Sequence, residues 1–186
     1  MGHHMNFTPT KLSGVFLIEN IIRGDERGDF IKVFNHDTFL KAGFDLKLQE
    51  SYYSTSKKDV IRGMHFQLPP MEHTKLVYVT QGSMTDVIVD IRKDSPTFGQ
   101  YITLELNDQN RHAVIIPPGF AHGFHSHVDG TSVTYLQTTM YSPDHDAGIK
   151  FDSFGYDWKV AKPIMSQRDQ IFPTLVEFAT PFTYQA

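Results

Sequence analysis

The chain has no cysteine, which excludes disulfide staples and thiol chemistry and leads to the expectation of a reducing, cytoplasmic setting. It has no apolar run long enough to span a bilayer and no secretory leader pattern, so neither membrane insertion nor export is expected. It has no excess of basic residues. The formal charge is −4, which argues against a nucleic-acid partner, since such a surface needs a positive face for the phosphates. Any anionic ligand must therefore be met by a few local cations, and Arg27, Arg62, Lys75 and Arg168 are the candidates. Internal repeats, low-complexity segments and composition shifts are also lacking. With 186 residues, against roughly 150 per domain, the chain is expected to form one domain with an ample core. Met1 to Met5 reads as the remnant of an expression tag, which leaves residues 6–186 as the single domain.

What is present is a succession of short strand patterns. Val15–Ile18, Phe30–Phe34, Leu46–Ser54, Val60–Gln67, Lys75–Thr80, Met84–Arg92, Tyr101–Leu106, Ala113–Ile116, Gly123–Val128 and Thr131–Tyr141 each combine branched, aromatic and large apolar residues, with turn residues between them. Gln81-Gly82 and Asp129-Gly130 read as hairpin reversals. A helix is expected over Asp37–Ala42, capped by Asn35 and stopped at Gly43. The proline-bearing C-terminal quarter is expected to wrap around the sheet. Many short strands at near-regular spacing imply an all-β antiparallel sandwich or barrel.

Two stretches carry the chemistry. Val60–Gln67 (V-I-R-G-M-H-F-Q) places Arg62 and His65 inside a strand pattern that would normally hold bland residues. Pro117–Phe124 (P-P-G-F-A-H-G-F) puts His122 just after a Pro-Gly turn. The two stretches are expected to face each other. Strict alternation sends Arg62 and His65 to opposite sides, so a common site requires a bulge near Gly63. A period of two places Val133, Tyr135, Gln137, Thr139 and Tyr141 on one face. Asp86, Ile88 and Asp90 share another, where the carboxylates either hold cationic side chains inside the barrel or are ordinary surface acids. A metal set of His65, Gln67, Glu72 or His73, and His122 is weakened by the amide at Gln67, where imidazole would be expected, and alternation turns His125 and His127 away from His122. His36, His112 and His145 lie in turns and read as solvated.

These residues resemble the dTDP-4-dehydrorhamnose 3,5-epimerase family of metal-free cupins. The resemblance rests on G-D-E-R-G (Gly24 to Gly28), R-G-M-H-F-Q (Arg62 to Gln67), K-L-V (Lys75 to Val77), D-V-I-V-D-I-R-K-D-S-P-T-F-G (Asp86 to Gly99), I-P-P-G-F-A-H-G-F (Ile116 to Phe124), Y-S-P (Tyr141 to Pro143) and S-Q-R-D (Ser166 to Asp169). It implies a jelly-roll barrel, a homodimer, a nucleotide-linked 4-keto-6-deoxysugar as substrate and no cofactor or metal. It also implies roles: His65 as general base, Asp169 as its orienting carboxylate, Tyr135 as the acid on the other side of the sugar ring and Lys75 beside the enolate oxygen. Arg27, Arg62 and His122 are implied as ligands of the sugar and diphosphate, and Glu50, Tyr52, Tyr141, Asp146 and Arg168 as further substrate-binding residues.

The chain departs from the family pattern at Asp29 and Lys32, at Glu50-Ser51-Tyr52 where Q-D-N is usual, at Met140-Tyr141 in place of a tyrosine pair, at Asp146 in place of a glutamate, and in a shortened stretch before Trp158. These positions belong to the recognition end of the pocket. Inversion at one carbon only, or another nucleotide sugar, therefore stands as an alternative, as do a metal-dependent cupin enzyme and a non-catalytic sugar-binding barrel.

Overall fold

A computed structural model describes residues 4–185, and its secondary structure is mostly β. Its elements, in chain order, are β1 (Asn6–Pro9), β2 (Phe16–Glu19), β3 (Ile21–Asp25), β4 (Gly28–Lys32), α1 (His36–Lys41), β5 (Glu50–Ser56), β6 (Ile61–Gln67), β7 (Lys75–Gln81), β8 (Ser83–Asp90), β9 (Tyr101–Asn107), β10 (His112–Ile116), β11 (Phe120–Ser126), β12 (Thr131–Gln137), β13 (Asp146–Gly148) and α2 (Gln167–Gln170). A six-stranded sheet in the order β1-β2-β10-β7-β12-β5 packs against a five-stranded sheet in the order β13-β6-β11-β8-β9. β3 and β4 form a separate two-stranded ribbon. Every pairing between these strands is antiparallel.

Alternation sorts the side chains into three apolar layers. Val77, Val79, Met84, Ile88, Leu106, Phe124 and Val133 fill the space between the sheets. Val87, Val89 and Met64 point out of the five-stranded sheet, where Trp158, Leu175 and Phe182 of the C-terminal segment cover them. That segment wraps the sheet as expected, and it brings α2 against β6. Leu76, Ala113 and Ile115 point out of the six-stranded sheet onto Phe39 of α1. Phe39 is fully buried, which is worth about 1.5–3 kcal/mol for a side chain of this size. Asn35 caps α1 through its side-chain oxygen at 3.1 Å from the Thr38 amide. Met5, which the tag reading leaves outside the fold, packs into this same layer; Met1 to His3 of that remnant lie outside the described residues.

Two expectations are corrected. Gln81-Gly82 and Asp129-Gly130 are not hairpin turns. β7 and β8 belong to different sheets, as do β11 and β12, so both turns carry the chain across the sandwich. A glycine at positive φ, +81° at Gly82 and +78° at Gly130, marks a sharp reversal, but it does not dictate whether the arms pair or diverge. The two crossings meet at one corner, where the Thr131 hydroxyl lies 3.3 Å from the Ser83 carbonyl. β12 ends at Gln137, so Thr139 and Tyr141 are not on its inward face; Tyr141 sits in the following loop, 54% exposed. Of the two alternatives left open for Asp86 and Asp90, the structure shows the one in which they hold other side chains: both are fully buried, and they hold His122 and Arg92 respectively.

Candidate active site

The inward face of β12 runs from Val133 through Tyr135 to Gln137, from apolar to polar, and this gradient defines one end of the sandwich. A cavity of about 370 Å³ opens there. It is lined from the five-stranded side by Arg62, His65, Gln67 and His122, and from the six-stranded side by Lys75, Tyr135, Gln137, Tyr52 and Glu50. Tyr141, Asp146 and Arg168 complete the rim.

The bulge expected in β6 is present. His65 pairs with His122 while Arg62 pairs with Phe124, so β6 has one more residue than β11 between these two rungs. The extra residue turns both Arg62 and His65 to the cavity. Glycine is required on both strands at this point. A Cβ on Gly63, at φ +137°, would stand 2.5 Å from the Gly123 Cα, and one on Gly123 would stand 2.7 Å from the Arg62 carbonyl oxygen. The stretches around His65 and His122 are therefore neighbours in one sheet rather than opposed walls.

His65 is held from behind. Its Nε2 lies 2.8 Å from Asp169 Oδ1, and the other carboxylate oxygen accepts the Gly63 amide at 3.1 Å. Asp169 is presented by α2, whose N-cap Ser166 accepts the Asp169 amide at 3.1 Å. With Nε2–H donating to Asp169, Nδ1 is the nitrogen left with a lone pair. Burial lowers the His65 pKa and outweighs the opposing effect of Asp169, so the ring stays neutral near pH 7. Burial pushes the Asp169 carboxyl up, but the hydrogen bonds from His65, Gly63 and Ser166 together bring it below its ordinary value.

Tyr135 faces this dyad from the opposite sheet. It is 7% exposed, and burial raises its phenol far above the usual value, so it remains protonated. Tyr52, its direct cross-strand partner, stacks on it with centroids 4.8 Å apart and planes at 15°. Burial raises the Tyr52 hydroxyl to about 12. Lys75, on the strand beside Tyr135, is buried, and burial lowers its ammonium to about 8. Arg62 is aimed by Ser56 Oγ at 3.0 Å and by the Thr55 carbonyl at 3.1 Å. At the rim, Glu50 accepts from Gln137 and from the Tyr141 amide, each at 2.6 Å. Arg168 pairs with Asp146 and comes within 3.7 Å of Asp169.

Of the site residues expected from the sequence, Arg27 alone is placed apart. It sits on the turn of the β3–β4 ribbon with its side chain 85% exposed, paired to Asp25, and it does not line the cavity. A one-residue turn position does not fix where a protruding ribbon points. The proposed metal set is engaged otherwise: the Gln67 amide donates to the Met71 and Met140 carbonyls at 2.6 and 3.2 Å and lies 3.2 Å from His73 Nδ1. Burial depresses His73 to about 3. Among the described residues no three His, Asp or Glu side chains are grouped to hold a metal ion. His36 is half exposed, while His112 and His145 are only partly so. Asp86, which the sequence left open between a surface acid and a carboxylate holding another side chain, has its Oδ1 2.5 Å from His122 Nε2.

A neutral imidazole backed by a carboxylate, facing a protonated phenol and a lysine across a barrel interior, defines an acid–base enzyme on a cupin-type jelly roll. The chain belongs to the dTDP-4-dehydrorhamnose 3,5-epimerase family, whose pattern it matches over residues 9–177. It is 39% identical to the dTDP-4-dehydrorhamnose 3,5-epimerase of Methanothermobacter thermautotrophicus over 92% of this chain and 95% of that one. It is 34% identical to a dTDP-4-dehydrorhamnose 3-epimerase of Streptomyces niveus over 89% and 82%. The crystal structure of a Legionella pneumophila dTDP-6-deoxy-D-glucose-3,5-epimerase in complex with dTDP-4-keto-L-rhamnose superposes with a TM-score of 0.93 at 33% identity, covering 98% of this chain and 100% of that one.

Proposed function

We propose that this protein is an isomerase that inverts C3, C5 or both in a dTDP-linked 4-keto-6-deoxysugar, by removing a proton on one side of the ring and returning one on the other. The observation that carries this reading is the placement of His65 and Tyr135 on opposite sheets of one cavity, with Lys75 beside the phenol. The C4 ketone acidifies the hydrogens on both adjacent carbons, so the steps run without redox chemistry. Nδ1 of His65 takes the proton, and Asp169 steadies the imidazolium that forms. The electron pair moves to the C4 oxygen, where the ammonium of the buried Lys75 offsets the charge. Tyr135, kept protonated by burial, delivers its proton to the opposite face of the carbon. Solvent then restores both groups.

Arg62 and Arg168 are suited to the diphosphate by charge and fork geometry, and Tyr141 offers a ring at the mouth for stacking a base. We also propose a homodimer acting in the cytoplasm. β5 is an edge strand with Tyr53 71% exposed, and the β3–β4 ribbon carries Phe30, 63% exposed, and Arg27 away from the body. Both are surfaces a second copy would cover.

The test is incubation with dTDP-4-keto-6-deoxyglucose in deuterated water, followed by NMR of the sugar. Deuterium at C3, at C5 or at both is expected, and the configuration of the product in the same spectra reports how many centres are inverted. No exchange with dTDP-, GDP- or CDP-linked 4-ketosugars would overturn the reading. Light scattering at working concentration reads the dimer.

A further inference from the structure

Tyr135 stands between two rings. Tyr52, directly opposite it in the β5–β12 ladder, lies flat against it, with centroids 4.8 Å apart and planes at 15°. His122 meets it edge-on from the other sheet, with centroids at 6.2 Å and planes at 68°, and His122 is itself held by Asp86 at 2.5 Å. Turning the Tyr135 side chain about its Cα–Cβ bond would break the stack and move the ring against its neighbours in a buried place. The phenol oxygen therefore has one position in the cavity.

Tyr52 also acts on the space left for the sugar. Its side chain lines the cavity, at the position where the family pattern Q-D-N has an asparagine, and a phenol ring takes more room than that amide. Both C3 and C5 adjoin the ketone, on opposite sides of C4. Inverting both needs the acid to reach each carbon in turn, through a swing of the phenol or a shift of the sugar. Tyr52 restricts both motions, while the base is fixed by Asp169 at 2.8 Å. A donor misplaced by about 1 Å costs on the order of 10²-fold.

We propose that Tyr52 is a positioning residue that sets regiospecificity: by holding Tyr135 in one orientation and narrowing the space beside it, it confines inversion to one of the two carbons that flank C4. At either carbon the C–H bond breaks, its proton goes to His65 and its electron pair to the C4 oxygen. At the favoured carbon the Tyr135 O–H bond breaks, its proton forms the new C–H bond on the opposite face, the ketone re-forms and solvent reprotonates the phenolate. At the other carbon Tyr135 is out of reach, so His65 returns the proton to the face it came from and configuration is retained. This deepens the epimerase reading and rests on it, so one of the tests needs no substrate.

NMR of the product formed by the wild type from dTDP-4-keto-6-deoxyglucose should show one centre inverted at least about tenfold faster than the other. Tyr52→Phe keeps the stacked ring and is expected to keep that ratio. Tyr52→Asn removes the ring and is expected to bring the two rates within a few-fold of each other. In the free protein, three-bond couplings of labelled Tyr135 should report a single side-chain rotamer in the wild type and in Tyr52→Phe, and averaging between rotamers in Tyr52→Asn. A wild type that inverts both centres at comparable rates, an averaged Tyr135 in the wild type, or a folded Tyr52→Asn with an unchanged ratio and an unaveraged Tyr135 would each overturn the proposal, and the first two do not depend on any variant folding. Wild-type protein inert toward every ketosugar would instead overturn the epimerase reading, and the Tyr135 couplings would still judge whether Tyr52 holds the ring.

Discussion

The cavity wall and the β3–β4 ribbon are built from the same kind of strand and differ in what holds them. In the wall, His65, Lys75, His122 and Tyr135 lie on strands flanked on both sides by others, with one apolar layer inside and another outside. In the ribbon, β3 and β4 pair only with each other, and Arg27 at the turn is engaged by its neighbour Asp25. The wall sets positions to within a hydrogen bond because neighbouring strands over-determine each residue. The ribbon sets a chain direction and leaves the position of its tip to whatever packs against it. Residues that must meet a reacting carbon are found in the wall, and a residue that meets only charge can be carried on the ribbon.

Several variants sharpen or break this contrast. The largest effect is expected at His65: His65→Asn should reduce deuterium exchange at C3 and C5 by up to about 10⁴-fold, read by NMR, while the fold is kept. Next comes Gly63→Ala, which forces a side chain against the Gly123 backbone at positive φ and should cost about 3 kcal/mol, read by denaturant unfolding; a neutral result would mean the bulge is pliable rather than fixed. Tyr135→Phe should lower inversion by about 10²-fold while deuterium still enters with retained configuration, because the base remains and the opposite donor is gone.

pH separates the two regions more finely. Lys75 titrates near 8 in the folded chain and at 10.5 as an ordinary lysine, so exchange should fall as pH rises above about 8. Between those values the unfolded chain binds more protons than the folded one, so this residue makes stability rise with pH over the same window in which activity is lost. Titrating rate and melting temperature side by side checks the opposed signs. The smallest effect is expected on the ribbon: Arg27→Ala should leave the melting temperature and kcat unchanged and alter only KM, by a few-fold. A large fall in kcat would place Arg27 in the wall of a partner's cavity and remove the contrast.

Legibility from the sequence follows the same division. Strand periodicity placed Tyr135 and Gln137 on one face because β12 alternates without interruption, whereas Lys75 was assigned through the family resemblance. The bulge that unites Arg62 with His65 was readable from Gly63, since a glycine in a strand is where an extra residue fits. Asp169 could be assigned only through the family resemblance, because its partner lies 104 positions earlier and no local period links them. The two turns at Gly82 and Gly130 misled, since identical local geometry serves a hairpin and a sheet crossing.

The sequence by itself determined most of the strands, which side chains share a face, the glycine that permits the bulge and the family, because these depend on local conformation and on the order of residue types. Only the tertiary structure decided that Asp86 is buried behind His122, that Tyr52 lies flat on Tyr135, and that Arg27 stands clear of the cavity. Such facts depend on which sheet each strand joins. Sheet membership is settled by burial of apolar area over the whole chain, and no short stretch contains that information.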